Sequence, residues 1–257
     1  MDISKLDINF ASGKAEEKIE WINSRDERFG VYGVFFSEKE NLYTRVPKEV
    51  CEASGNPALH ELAKMTSGGR LRFVTNSKFV AIKAALTATY PAPNMSITLS
   101  HGFSVYTDGV YKSRYSPSFK HFLDVKEFGC DKKLLFAEKN NVAEINEERL
   151  VEIYFPLYGG VFELYVGVEE GAVIKKAPEY ANLKPLVFYG SSITQGACVS
   201  RPGNDYVSII ARRLNMDYIN LGFSGNGNAE DAMIDYVTSI DAWGRIYQDT
   251  FVLQQKE

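Results

Sequence analysis

The spacing of apolar residues changes character near residue 183, and that change limits the folds open to this chain. From residue 30 to about residue 175 the apolar residues recur mainly with period two, as in Val80, Ile82, Ala84, Leu86 and Ala88. In an extended chain alternate side chains point to opposite faces. These five therefore predict a half-buried antiparallel strand whose other face carries Ala81, Lys83, Ala85 and Thr87. Turn chemistry punctuates the same stretch: Asp108-Gly109 and Gly159-Gly160 each lie between two apolar runs and read as hairpin turns. Short strands joined in this way predict two sheets packed face to face, as in a β-sandwich or jelly roll.

Beyond Pro178 and Pro185, which bracket a polar connection, the period changes. Residues 186–189 form a short apolar run that reads as a buried strand, and residues 190–201 form a loop rich in Gly and Ser. Pro202 suits the first turn of a helix along which Tyr206, Val207, Ile210 and Leu214 repeat at helical spacing. Residues 217–221 read as a second strand. Asn228 can cap a second helix with Met233, Tyr236, Val237 and Ile240 as its apolar stripe. Residues 251–253 could open a third strand. The β-α-β-α order implies a parallel sheet covered by helices, with ligands bound beyond the carboxyl ends of its strands. The expected architecture is a β-domain over residues 1–180 followed by an α/β domain over residues 183–257.

Charge and composition remove several function classes. The net charge is −4, and Lys and Arg are scattered instead of forming the basic stripe that a phosphate backbone requires, so no nucleic-acid partner is expected. There is no 18-residue apolar run and no basic-then-apolar leader, which predicts a cytoplasmic protein without membrane attachment. Cys51, Cys130 and Cys198 include no closely spaced pair and fit reduced thiols, with no metal site expected.

The most informative stretch is Val187-Phe188-Tyr189-Gly190-Ser191-Ser192-Ile193-Thr194-Gln195-Gly196. A strand running into Gly-Ser-Ser places a hydroxyl at the sheet edge, where the next backbone N–H groups can stabilise an oxyanion. It is no phosphate-binding loop, because Ala197 follows Gly196 where Lys is needed. Nor is it a Gly-x-Ser-x-Gly elbow, because Thr194 holds the second Gly position.

The stretch resembles the first block of the SGNH (GDSL-like) hydrolases, with Ser192 at the nucleophile position and Ser191 where Asp is usual. Asn220-Leu221-Gly222-Phe223-Ser224-Gly225-Asn226-Gly227 is similar to the second block, with Gly225 at its oxyanion-hole position. Ser200-Arg201-Pro202-Gly203, together with Glu40, Leu42, Tyr43, Arg45 and Pro47, resembles the subgroup that carries a β-sandwich ahead of the catalytic domain. The resemblance implies a flavodoxin-like, three-layer α/β/α catalytic domain that is C-terminally incomplete here. It also implies ester hydrolysis with no metal or organic cofactor: Ser192 attacks the carbonyl and the N–H groups of Ser192 and Gly225 hold the oxyanion. Ser191 and Asn226 are the expected substrate-binding residues, and a small-molecule or carbohydrate ester the expected substrate.

The family also uses an Asn from a third block and an acid and base from a late Asp-x-x-His, and no such segment occurs before the last residue, Glu257. The histidines, His60, His101 and His121, all lie in the β-rich part. Without a base the hydroxyl is a poor nucleophile. The alternative is a non-catalytic glycan-binding or interaction protein, with the aromatic group Tyr106, Tyr111, Tyr115, Phe119 and Phe122 as a stacking face. An unpaired sheet edge makes a homo-oligomer a further possibility.

Overall fold

A computed structural model of the chain describes residues 18–248. In chain order it places β1 (Ile19–Asn23), β2 (Gly30–Tyr32), β3 (Phe35–Ser37), β4 (Leu42–Thr44), α1 (Lys48–Ala53), α2 (Pro57–Ala63), β5 (Arg70–Thr75), β6 (Phe79–Ala88) and α3 (Ile97–His101). There follow β7 (Phe103–Thr107), β8 (Val110–Tyr115), α4 (Phe119–Leu123), β9 (Gly129–Asn141), β10 (Arg149–Tyr154), β11 (Val161–Glu169) and β12 (Ile174–Lys176). The last elements are β13 (Asn182–Gly190), α5 (Ser192–Gln195), α6 (Tyr206–Leu214), β14 (Met216–Gly222), α7 (Asp231–Ser239) and β15 (Gly244–Tyr247). The fold is mixed α/β and strand-rich.

Up to β12 every pairing is antiparallel. One large sheet runs β1-β11-β6-β9 and the other runs β12-β5-β10-β7-β8, with β2 also on β5, while β3 and β4 pair as a separate two-stranded sheet. Val80, Ile82, Leu86 and Val166 of the first sheet share a core with Phe73, Val105, Val151 and Ile153 of the second. The alternating set of β6 does point into this core, but the opposite face is not solvated. All ten residues of β6 are buried, because β6 lies inside its sheet and its outer face is covered by Leu42 and Phe162 over Ala85 and by the Trp21 ring over Lys83.

Asp108-Gly109 forms the expected two-residue hairpin, with φ of +50° and +78° joining β7 to β8. Gly159-Gly160 does not. Its flanking strands lie in different sheets, so the segment crosses between them, and Thr66 N–H and Thr87 N–H donate to the Gly159 and Gly160 carbonyls at 3.1 and 3.0 Å. A Gly pair marks a change of direction, and only the position of the flanking strands decides whether they pair.

The last part of the chain builds a parallel sheet with β13 between β14 and β15. The third strand is thus Gly244–Tyr247, while residues 251–253 lie outside the described residues. Helix α6 starts after Asp205, whose Oδ1 accepts from Ser208 N–H at 2.8 Å, so Pro202 precedes the helix instead of opening it. Helix α7 has Glu230, not Asn228, at its cap position. Both faces of this sheet are closed partly by N-terminal elements. Tyr106 and Tyr154 pack with Leu186, Phe188, Val207 and Tyr218, whereas Val46, Cys51 and Leu59 pack with Val187, Leu221, Phe223 and Met233.

The outer edge of β14 is closed by side chains instead of a strand. Alternate carbonyls of an edge strand point away from the sheet and need partners when buried. Arg70 Nη1 donates to Tyr218 O at 3.1 Å, and Arg45 Nη1 donates to Asn220 O at 3.0 Å and Gly222 O at 2.7 Å.

Burial also sets a pH dependence. His101 is 1% exposed, with Nδ1 against Ser100 Oγ and Nε2 against Thr89 Oγ1, and burial pushes its imidazole down from the ordinary 6.5 to about 4. The unfolded chain therefore takes up this proton first. Stability from this group is complete above pH 6.5 and is lost as pH falls toward 4, by about 3 kcal/mol. Urea unfolding between pH 7 and pH 4 should show this slope and His101→Gln should flatten it; identical slopes in both proteins would contradict the assignment.

Candidate active site

Strands β13 and β14 end side by side, with Gly190 in register with Gly222. The chain then leaves both strands at the carboxyl edge of the sheet, where a parallel α/β arrangement binds its ligands. Past β13, Ser191 precedes α5, a single turn whose first residue is Ser192. The first N–H groups of a helix have no partner within it. Among the described residues, neither the N–H nor the hydroxyl of Ser192 has a hydrogen-bond partner.

Gly225, three residues beyond β14, has φ of +69°, and a Cβ there would meet nothing, so its glycine serves backbone conformation and not close packing. Gly222 is the opposite case. A Cβ on it would lie 2.2 Å from Gln195 N, because the second loop presses directly against α5. Gly222→Ala should destabilise the protein by about 3 kcal/mol by forcing these backbones apart, which thermal unfolding would register; an unchanged melting temperature would mean the loops separate freely.

Three hydrogen bonds lace the two loops together, and a fourth fixes the Asn220 amide that makes one of them. Phe223 N–H donates to Gly190 O at 2.9 Å, and Asn220 Nδ2 donates to Thr194 O at 2.7 Å. Ser224 N–H donates to Gln195 Oε1 at 2.8 Å, and Gly222 N–H to Asn220 Oδ1 at 2.9 Å. Gln195 is fully buried, and its Nε2 reaches Leu157 O at 3.2 Å, so one amide joins both loops to the N-terminal part.

The structure thus brings Ser192 and Gly225 onto adjoining, mutually bonded loops. Ser191 O accepts from Gln195 N–H at 3.0 Å inside the turn. The Asn226 amide is engaged within the protein: Nδ2 donates to Ser224 O at 3.0 Å and Oδ1 accepts from Asn56 Nδ2 at 3.1 Å.

Several neighbours escape sequence reading. Tyr158, in the segment that crosses between the antiparallel sheets, donates to Ser192 O at 3.4 Å and stands beside Ser224; burial raises its phenol, keeping it protonated at neutral pH. No motif signals it. Gln195 lies within the Ser192 block, and Arg45 within the N-terminal resemblance, but nothing local assigns them a task.

The three histidines are engaged elsewhere. His60 Nε2 meets Glu40 Oε1 at 2.7 Å, His101 is enclosed by Ser100 and Thr89, and His121 Nδ1 accepts from Ser118 N–H at 3.0 Å. None hydrogen-bonds Ser192 among the described residues. Nor do the described residues include a group of three or more His, Cys, Asp or Glu side chains able to hold a metal. No described helix is long and apolar enough to cross a membrane. The aromatic group is largely core, since Tyr106, Tyr115 and Phe122 are buried, while Phe119 is exposed.

The Ser192 hydroxyl and N–H, without partners among the described residues, thus stand at the carboxyl edge of a parallel sheet. The profile of the N-terminus of SGNH-hydrolase-type esterases matches residues 19–174, and that of the GDSL-like lipase/acylhydrolase family matches residues 183–250. The chain belongs to the GDSL-like, SGNH-type esterase family. Among solved structures, it is similar to a Bacteroides ovatus protein described as a GDSL-like lipase: 26% identity, TM-score 0.75, covering 90% of this chain and 64% of that one. It also shares the fold of a salicylyl-acyltransferase, SsfX3, from a tetracycline biosynthetic pathway: 19% identity, TM-score 0.66, covering 89% of this chain and 61% of that one. The chain therefore spans less than two thirds of either relative's length. No curated protein sequence matches it.

Proposed function

We propose that Ser192 is the nucleophile of an ester hydrolase acting on small or sugar-linked acyl esters, and that the N–H groups of Ser192 and Gly225 form its oxyanion hole. The observation that carries this reading is the lacing of the α5 turn to the Gly225 loop, with the Ser192 N–H and hydroxyl unpaired among the described residues. In the first step Ser192 Oγ bonds to the carbonyl carbon and gives its proton to a base. The alcohol then leaves with a proton, and water releases the acid and restores the serine. Ser191 stands beside this centre, and Asn226 shapes the loop facing it. We read the two antiparallel sheets as a jelly-roll-like sandwich and the β13-β14-β15 layer as part of a flavodoxin-like α/β/α domain.

The test is labelling of the purified chain with an alkyl fluorophosphonate, read by mass and by the modified peptide, beside turnover of p-nitrophenyl acetate. One adduct on Ser192 with accompanying turnover supports the reading. The engagement of all three histidines away from Ser192 favours a second reading, a non-catalytic interaction or glycan-binding protein, which predicts neither adduct nor turnover.

A further inference from the structure

Arg45 follows β4 by one residue and is 1% exposed, yet among the described residues it forms no salt bridge. A buried cation without a carboxylate must be met by other negative ends of dipoles. Here Nη1 donates to Asn220 O and Gly222 O at 3.0 and 2.7 Å, Nη2 donates to Leu62 O at 2.7 Å, and the guanidinium lies 4.6 Å from the centre of the Phe223 ring. Burial pushes its pKa down to about 9, which leaves it charged at neutral pH.

The placement of these partners is specific. Asn220 and Gly222 carry the last outward carbonyls of β14, and Phe223 is the first residue of the loop leading to Gly225. Gln195 and Gly190 hold this loop on the side of α5 through Ser224 N–H and Phe223 N–H. Arg45 holds the strand end from the other side, and it is supplied by the N-terminal part of the chain.

We propose that Arg45 is a positioning residue for the Gly225 loop, so that the N-terminal part of the chain sets the geometry of the N–H groups facing Ser192. This rests on the reading of Ser192 and Gly225 given above. A planar fork spans two carbonyls of one strand and a third from α2, which an ammonium cannot reproduce. Lysine should therefore restore only part of what methionine removes.

The experiment compares the unmodified chain with Arg45→Met and Arg45→Lys. Amide hydrogen exchange is followed at Phe223, Ser224 and Asn226, whose N–H groups are bonded, and at residues 161–169 as a reference. Exchange at the three loop amides should quicken by about 10-fold or more in Arg45→Met while the reference stays slow, with Arg45→Lys between. In the same proteins kcat for p-nitrophenyl acetate should fall by about 100-fold with KM nearly unchanged. Loop exchange that stays as in the unmodified chain, or that rises only in step with residues 161–169, would overturn the proposal. If Arg45→Met does not fold, Arg45→Lys carries the same comparison. Absence of Ser192-dependent turnover in the unmodified chain would sink the hydrolase reading, while the exchange data would still decide the role of Arg45.

Discussion

Replacing Ser192 by alanine should lower kcat for p-nitrophenyl acetate by about 10⁶, on the order of 8 kcal/mol of barrier. The size follows from what the hydroxyl does when a base assists it: it converts one difficult displacement into two easier ones, and alanine leaves only the N–H groups to polarise the carbonyl. The magnitude is itself informative. A loss near 10⁶ requires a base that reaches Ser192, whereas equal background in both proteins means that none does. Stability should hardly change, because the hydroxyl has no partner among the described residues; a shift within about 0.5 kcal/mol is expected. A large loss of both activity and stability would mean that the mutation acts through the fold.

Arg70→Met should destabilise the protein by about 3–5 kcal/mol, read from urea unfolding at neutral pH. The Arg70 side chain is fully buried and uses its donors on four partners: Nε on Tyr180 Oη at 2.7 Å, Nη1 on Gly68 O at 2.9 Å and Tyr218 O at 3.1 Å, and Nη2 on Asp217 Oδ1. Its face also lies 3.9 Å from the Tyr218 ring centre. Methionine roughly keeps the volume but leaves the Asp217 carboxylate, two carbonyls and a phenol without their donor. Arg70→Lys should recover only part, since one ammonium cannot reach all four. A loss below about 1 kcal/mol in the methionine variant would mean that water takes over at the β14 edge, and that this edge is not sealed by the arginine.

Both predictions concern places where local and long-range information meet. The period-two run of β6, the helical spacing of Met233, Tyr236 and Val237, and the Asp108-Gly109 turn act over a few residues, so they were legible in the sequence. The Ser192 and Gly225 blocks were legible for the same reason: each is a short loop whose glycines and hydroxyls answer to the strand just before it. Helix starts were less so, because Pro202 is locally acceptable in a first turn and Asn228 as a cap. Asp205 and Glu230 displaced them once the helices docked.

The sequence by itself determined the two textures of the chain, the strand ends where Ser192 and Gly225 emerge, and the family to which both belong. Tertiary structure alone decided that Gly159-Gly160 crosses between sheets, that the outer face of β6 is buried, that Tyr158 donates to Ser192 O and that Gln195 Oε1 accepts from Ser224 N–H. It also decided that Arg45 and Arg70 seal β14 across 175 and 148 residues of sequence. The physical reason is that periodicity and turn chemistry act on neighbouring residues, whereas a buried carbonyl accepts any donor the folded chain delivers, however distant in sequence.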